Sequence, residues 1–233
     1  MLVRKIKDFS VGKKHSTCFS LSICMPLKRQ MGVNMNLKRE VEKNIAIFSK
    51  DMHLYDLELN KDSIRAVMIN EVVPADPKQD FYGDKNADYL KTTIPLFQKA
   101  GLNVNSIDEI LSMGIFITNA VKIPKTGYSI ETQTIVESLP ILEQELSLFP
   151  NLKVIMLMGD VAKKAFNMIT KKRTKKNIIP AISTYKLRGS EIYYGDIRIM
   201  PSYIMTGGNI LIEKSKFEMA AEDIAIMAEL IKE

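Results

Sequence analysis

The sequence predicts an α/β fold, a three-layer α/β/α sandwich around a central, mostly parallel sheet of four strands. Short apolar runs typical of strands alternate along the chain with longer segments of helical periodicity. This alternation predicts parallel strands joined by right-handed helical crossovers. The first strand contains the continuous apolar run 66–69, as expected for a strand covered on both faces. Polar clusters follow the runs, and functional residues gather at that carboxyl edge in open α/β sheets.

Length and composition limit the classes of protein to which the chain can belong. Its 233 residues, 46% hydrophobic and 26% charged, fit one globular domain or one domain with a tail. No apolar run reaches the roughly 18 residues of a membrane-spanning helix. Two cysteines and two histidines are too few for a disulfide framework or a metal site built from these residues. We expect a cytoplasmic monomer without a membrane partner.

Residues 1–34 differ from the rest of the chain. They hold seven basic side chains and one acidic one, while residues 35–233 hold 26 of each. The basic pI therefore belongs to this segment. It lacks the clean apolar core and small-residue cleavage site of a signal peptide. We expect either a disordered N-terminal arm, or upstream sequence that is not translated, with Met31 or Met35 as the start. Residues 35–233 form the predicted domain.

The first half of the domain contains three predicted helices and one strand. A helix is predicted over 36–53, the first strand over 64–69 and a Pro-broken loop over 70–83. Helical spacing of apolar residues predicts a second helix over 86–100, ended by Gly101. Ser106 is expected to cap a short third helix over 107–113, which has two acids in its first turn.

The second half continues the alternation. Strands are predicted over 115–118, 153–158 and 197–199. A helix from Ser129 to Phe149 contains Pro140, which is expected to kink or split it. Another helix is expected to begin with Asp160 as its N-cap. Residues 177–194 are predicted to be a loop and a short hairpin turning near Gly195, and an amphipathic helix over 214–231 ends the chain.

Four stretches carry a family resemblance. They are Asn70-Glu71-Val72-Val73-Pro74-Ala75-Asp76 with Phe81-Tyr82-Gly83; Thr118-Asn119-Ala120-Val121-Lys122 with Pro124 and Gly127; residues 152–166; and Met200-Pro201-Ser202-Tyr203. In order and spacing they resemble the uracil-DNA glycosylase superfamily, particularly its thermophile-type branch and relatives. The likeness spans about residues 60–232. Its first and last motifs are altered in this chain.

The resemblance implies a function and a set of roles. It implies a DNA repair enzyme that hydrolyses the N-glycosidic bond of a damaged base, uracil above all, after the base is flipped out of the duplex. Glu71 is the candidate carboxylate that stabilises positive charge on the sugar and orients water, and Asn70 is a candidate for positioning water. The alternative for Glu71 is a surface or loop-capping residue.

Two further residues are candidates for holding the base. The Phe81 ring is expected to stack on it, and the alternative is a phenylalanine of the core. The Asn119 amide offers a donor and an acceptor to the O4/N3 edge of uracil. Its alternative role is to cap a turn after the strand.

The last motif departs from the family. Met200 stands where the family has a histidine that donates a hydrogen bond to the departing uracil, and methionine has no donor. Loss of one such donor typically costs about 10²–10³ in rate. Backbone N–H groups near Ser202 and over 206–209 are expected to compensate in part, with Ser202 binding the substrate.

DNA phosphates are expected to contact a basic cluster and the loop after Met200. These residues are Lys163, Lys164, Lys171, Lys172, Arg173, Lys175, Lys176, Thr206, Gly207, Gly208 and Asn209. The alternative for the basic cluster is a solvated helix end, where lysine is favoured.

The thermophile-type branch carries an iron–sulfur cluster held by four cysteines, one of them just after T-N-x-V-K. That position is Ile123 here, and Cys18 and Cys24 cannot supply four ligands. We therefore predict no cluster and no other cofactor.

Two other interpretations stay open: a catalytically impaired member of the fold that binds DNA or a nucleobase, and an unrelated α/β enzyme that uses a nucleotide. The chain has neither a GxGxxG nor a Walker motif to favour the latter.

Overall fold

Strands and helices alternate along the computed structural model, which describes residues 34–45, 51–127 and 129–232. The strands are β1 (Asn34–Asn36), β2 (Glu58–Asn60), β3 (Ala66–Val72), β4 (Ile115–Val121), β5 (Val154–Met158), β6 (Ile192–Tyr194) and β7 (Ile197–Ser202). The helices are α1 (Leu37–Asn44), α2 (Asp88–Lys99), α3 (Ile107–Ser112), α4 (Thr132–Ser147), α5 (Asp160–Thr174), α6 (Thr184–Leu187), α7 (Asn209–Ile212) and α8 (Lys214–Leu230). The fold is therefore α/β, as the sequence predicts.

The main sheet has five strands in the order β4-β3-β5-β7-β6. The first four are parallel, and β6 runs antiparallel to β7 at one edge. The prediction of a four-stranded sheet was wrong by this one strand. The sequence does predict a hairpin near Gly195, but its first arm is only three residues long and has too few residues to show strand periodicity. A second, two-stranded sheet of β1 and β2 was also not predicted.

The apolar core lies on both faces of the main sheet, because successive side chains of a strand point to opposite sides. In β3, Val67 and Ile69 pack with residues of α4 and α5, which we call the α4/α5 face. Ala66 and Met68 pack with residues of α2 and α8, which we call the α2/α8 face. The helices thus cover a sheet whose interior strands are apolar on both sides.

Several predicted boundaries differ from those observed. The first helix was predicted to reach residue 53 but ends at Asn44, because Ile45 is already extended with φ −120° and ψ 113°. Pro140 does not split α4, which is continuous over Thr132–Ser147. Gly159, not Asp160, is the N-cap of α5. Two predicted signals are confirmed: Gly101 follows α2 with φ +84°, and the Ser106 hydroxyl accepts the Glu109 N–H at 3.2 Å.

The boundary that matters most for the site is the carboxyl end of β3 and β4. Both strands are longer than predicted, so Asn70 and Asn119 lie within the sheet and face each other in its register.

The predicted N-terminal arm lies outside the described residues except for Asn34, which begins β1. Within the described ranges, no helix is both long and apolar enough to cross a membrane.

Candidate functional site

Asn70 and Glu71 are neighbours in sequence but project to opposite faces of the sheet. Asn70 turns to the α2/α8 face, where it meets Asn119 and Thr206. Glu71 turns to the α4/α5 face, where it meets the start of α5. The alternation of side chains along a strand separates the two candidate catalytic residues. They flank the carboxyl edge of β3 from its two sides.

A buried hydrogen-bonded network, which we call the Asn70–Asn119 network, joins the ends of β3 and β4 to the loop after β7. Thr206 Oγ1 donates to Asn70 Oδ1 at 3.1 Å, and Asn70 Nδ2 donates to Asn119 Oδ1 at 2.8 Å. Asn119 Nδ2 lies 2.8 Å from both the Tyr55 hydroxyl and Asp80 Oδ2. The Tyr55 hydroxyl donates to Asp80 Oδ2 at 2.9 Å. Polar residues from two of the sequence motifs and from the loop after β7 therefore meet in one cluster.

Both ends of the Asn119 amide are occupied within the protein. Its donor faces the Asp80 carboxylate, an acceptor as uracil O4 would be, and its acceptor receives the Asn70 amide, a donor as uracil N3–H would be. Asn119 is fully buried. In this structure the edge of the Asn119 amide that was proposed to read a base is hydrogen-bonded to a donor and an acceptor of the protein, the same two kinds of group that uracil would offer.

Asp80 carries the one carboxylate of the network. It is fully buried, and burial raises its pKa from 3.8 to about 6. Hydrogen bonds from the Phe81 N–H, Asn119 and Tyr55 oppose this rise because they stabilise the charged form. Burial and the neighbouring Asp80 carboxylate together hold the pKa of the Tyr55 hydroxyl well above its usual value.

Phe81 lies next to this network and is fully buried on the α2/α8 face. Its ring centroid is 5.2 Å from that of Tyr89, with a tilted geometry. The Tyr89 hydroxyl in turn donates to the Val72 carbonyl at 2.8 Å. The ring proposed to stack on a base thus has core neighbours in this structure.

The Glu71 side chain extends from the end of β3 toward the neighbouring strand β5, where it meets the first turn of α5. Its Oε1 accepts the Val161 N–H of the first turn of α5 at 3.0 Å. Burial raises the pKa of the Glu71 carboxyl, whereas the amides of Val161 and Asp160 lower it by stabilising the anion. Lys125 lowers the pKa of Glu71 as well, through its charge. The carboxylate is therefore held by backbone donors at a helix N-terminus, where negative charge is favoured.

Open space near the site lies on the Glu71 side of the sheet. A pocket of roughly 370 Å³ adjoins the ends of β3 and β4. Its lining includes Val72, Val121, Ile123, Lys125 and Thr134. Lys125 lines this pocket, and its positive charge lowers the pKa of the Glu71 carboxyl.

Ser202 and Met200 lie apart from the Asn70–Asn119 network. The Ser202 hydroxyl donates to Asp223 Oδ2 at 2.5 Å, and Arg188 Nε donates to both Asp223 oxygens at 2.9 and 2.8 Å. Ser202 is fully buried in this second cluster. Met200 packs in the core of the α2/α8 face. The structure therefore gives the Ser202 hydroxyl a structural partner and places Met200 among apolar side chains.

The basic cluster on α5 and just after it contains one buried lysine and six exposed basic side chains. Lys163 is buried, and its Nζ lies 2.6 Å from Asp160 Oδ1 and 2.7 Å from Thr184 Oγ1. Among the exposed members, three donate to neighbours: Lys164 to Thr132 at 2.6 Å, Lys172 to Glu143 at 2.8 Å and Lys175 to the Lys172 carbonyl at 3.1 Å. The remaining exposed members are Lys171, Arg173 and Lys176.

The loop after β7 contributes through its backbone and one side chain. Thr206 belongs to the Asn70–Asn119 network, Gly207 has φ +89°, Gly208 precedes α7, and Asn209 is its first residue. This loop therefore lies beside the network, and its two glycines allow close approach of another chain.

Sequence reasoning missed Tyr55 and Asp80. Asp80 directly precedes Phe81, so its position beside a candidate binding residue was an available signal. Tyr55 lies between α1 and β2 in a segment without helical or strand periodicity, and nothing local in the sequence points to it.

No protein-family model matches the chain, and no curated protein matches it. Within the described ranges, no group of three or more His, Cys, Asp or Glu side chains is arranged to hold a metal ion. Cys18 and Cys24 lie outside those ranges.

Proposed function

We propose that this protein is a uracil-DNA-glycosylase-like repair enzyme with a three-layer α/β/α architecture. The observation that carries the proposal is the Asn70–Asn119 network with Thr206. It unites polar residues of the first two motifs with Thr206 of the loop after β7, at the carboxyl edge of the sheet. Ligand sites of open α/β sheets occupy this edge. We further propose that the protein acts as a monomer in the cytoplasm.

In the proposed reaction the bond between C1′ of the sugar and the ring nitrogen of the base breaks, and its electron pair leaves with the base. Positive charge develops on the sugar, and the Glu71 carboxylate stabilises it. The oxygen of a water molecule bonds to C1′, and Glu71 accepts the proton that this water loses. The amides of Val161 and Asp160 hold the carboxylate in place for both tasks.

Base recognition in this scheme requires a local rearrangement. A base read by Asn119 must replace Asn70 and Asp80 at the two ends of the amide, and a base stacked on Phe81 needs a face of that ring uncovered. Ser202 must likewise release Asp223 before its hydroxyl can bind the substrate. Of the basic cluster, the exposed Lys171 and Arg173 in the last turn of α5 are proposed to contact phosphates, at the end of the helix away from the carboxyl edge of the sheet.

The test is incubation with an oligonucleotide that contains uracil, followed by alkaline cleavage at any abasic site. We expect strand breaks with the wild type and a loss of at least about 100-fold for Glu71→Gln. Glu191→Gln changes an exposed glutamate on the chain just before β6 and is the control, expected to keep full activity. Absence of strand breaks with uracil, hypoxanthine and mismatched substrates would reject the enzyme.

A second candidate function is binding of DNA or a free nucleobase without turnover. Two observations favour it: the occupied amide of Asn119, and Met200 packed in the core where the family has a donor. Binding of a uracil duplex without strand breaks supports this candidate. Activity gained in Met200→His would show that one missing donor separates the two.

We also propose that the protein works without an iron–sulfur cluster. The position after T-N-x-V-K is Ile123, which has no metal-binding atom. Purified protein should therefore contain no stoichiometric iron and show no visible absorbance from a cluster. Bound iron at one cluster per chain contradicts this.

A further inference from the structure

We infer that Gly159 is a positioning residue for Glu71. The absence of a side chain at position 159 lets the Glu71 carboxylate reach the first-turn amides of α5. It thereby fixes the carboxylate at the carboxyl edge between β3 and β5. This inference rests on the proposed function in assigning catalysis to Glu71, while the geometry that carries it is independent of any activity.

The register of the sheet brings the two residues side by side. β3 and β5 are parallel neighbours, with Ile69 opposite Leu157 as their last paired residues. Glu71 and Gly159 each lie two residues beyond that pair, so both fall on the same face. A side chain at position 159 would therefore point toward Glu71.

The distances leave no room for even one methyl group. An ideal Cβ at Gly159 would lie 2.4 Å from Glu71 Oε1, 2.8 Å from Cδ and 2.9 Å from Cγ. Real contacts of a Cβ below 3.0 Å essentially do not occur. Because three successive atoms of Glu71 are affected, rotation of the carboxyl group alone cannot relieve the overlap. The whole end of the side chain must leave the Val161 amide.

The backbone of Gly159 cannot move aside easily. Its φ of 99° and ψ of 179° lie in a region that essentially only glycine adopts. Its N–H donates to the Ser202 carbonyl at 3.1 Å, which ties it to β7 on the far side from β3. Gly159 is therefore fixed between two strands, with its open side facing Glu71.

Electrostatics favour the carboxylate in this position. A helix begins with N–H groups that lack intrahelical partners, and negative charge is stabilised there. Glycine at the N-cap has no side chain to satisfy these donors, and Glu71 from another strand supplies the acceptor. Groups of the protein itself thus hold Glu71 in place, which is the preorganisation that electrostatic catalysis requires.

The experiment compares Gly159→Ala with Gly101→Ala. Gly101 also has a positive φ, +84°, but a Cβ built there meets no described atom within 4 Å. It therefore adds backbone strain without a clash. We expect Gly159→Ala to lower kcat about 100-fold with little change in KM, because displacement of a catalytic group by about 1 Å has an effect of this size. Gly101→Ala is expected to keep the wild-type kcat. Wild-type kcat in Gly159→Ala would overturn the inference.

A double variant separates positioning from general damage. If Gly159 acts through Glu71, Gly159→Ala adds less than about twofold to the loss in a Glu71→Gln background, because residues that act as a unit are not additive. Full additivity of the two losses would overturn the inference.

Hydrogen exchange of the Val161 amide, followed by NMR, gives a readout that needs no activity. We expect its exchange to speed up in both Glu71→Ala and Gly159→Ala and to stay at the wild-type rate in Gly101→Ala. If the wild type cleaves no substrate while Val161 behaves in this way, the glycosylase proposal falls and the positioning of Glu71 stands. If Val161 keeps its protection in Gly159→Ala, the positioning falls whatever the activity.

Discussion

The side-chain amides of Asn70 and Asn119 are paired across β3 and β4, with Asn70 Nδ2 donating to Asn119 Oδ1 at 2.8 Å. The two residues also face each other in the backbone register, so this bond lies alongside the ladder of the sheet. Both side chains are fully buried. The carboxyl ends of the two strands are therefore held together by polar groups that are shielded from solvent.

Asn119→Ala should destabilise the fold by about 3 kcal/mol. The substitution leaves Asn70 Nδ2 without its acceptor and the Asp80 carboxylate without one of its donors, and a buried unsatisfied polar group costs about 1–3 kcal/mol. Urea unfolding measures the change. Asn151→Ala is the control, because Asn151 is exposed and its side chain donates to the Asp62 carbonyl at the surface. A loss for Asn119→Ala no larger than that of Asn151→Ala would contradict the prediction.

Asp80 should make the free energy of unfolding depend on pH. Its folded pKa of about 6 lies above its usual value of 3.8, so the folded state binds the proton more tightly than the unfolded chain. Asp80 therefore favours folding below about pH 4, and this contribution is lost as pH rises to about 6. The difference between the two pKa values corresponds to about 3 kcal/mol.

Asp80→Asn tests this dependence, because asparagine does not titrate. Unfolding in urea at several pH values between about 4 and 7 should give a flatter profile for the variant than for the wild type. Burial also raises the pKa of Glu71 and Asp223, so both proteins retain some slope of the same sign. Parallel profiles of the two proteins would show that Asp80 does not titrate in this window.

A buried ion pair on the α4/α5 face should be costly to break from one side. Lys122 Nζ lies 2.6 Å from Glu145 Oε2 and 2.6 Å from the Thr118 hydroxyl, and both charged side chains are nearly inaccessible. Lys122→Met leaves a buried carboxylate unpaired, which should cost about 3–5 kcal/mol. Replacement of both partners, Lys122→Met with Glu145→Leu, should recover most of this loss.

Thermal and urea unfolding of the two single variants and the double variant measure this coupling. Lys91→Met is the control, because Lys91 pairs with Asp88 at the surface and such pairs contribute less than about 1 kcal/mol. If the double variant loses as much stability as the two single variants combined, the pair is not coupled as the geometry indicates.

The sequence predicts the α/β class and the carboxyl edge of the sheet, because both depend on local signals. Apolar runs mark β3, β4 and β5, and polar residues at the ends of the β3 and β4 runs mark the edge. Asn70, Asn119 and Thr206, all singled out from the sequence, do meet there. Their meeting follows from strand order, which parallel topology restricts to few possibilities.

The direction of each side chain could not be predicted in the same way. The sequence predicts Asn70 and Glu71 in one loop, but β3 continues to Val72, and strand alternation sends them to opposite faces. Tyr55 joins the Asn70–Asn119 network from 25 residues before Asp80 and 64 residues before Asn119, without a local signal. The short β6 depends on its pairing with β7, which overrides weak local propensity.

The basic cluster should separate into lysines that bind DNA and lysines that stabilise the fold. Lys171 and Arg173 are exposed on α5, whereas Lys163 is buried between Asp160 and Thr184. If the exposed pair binds phosphates, Lys171→Gln with Arg173→Gln should reduce the slope of log affinity against log salt by about 0.9 for each phosphate that the variant no longer neutralises. Lys163→Gln should leave this slope unchanged and lower stability instead, because its partners are already within the protein. Fluorescence anisotropy with a labelled duplex at several salt concentrations measures the slope. A flatter slope in Lys163→Gln but not in the exposed pair would reverse the assignment of these residues.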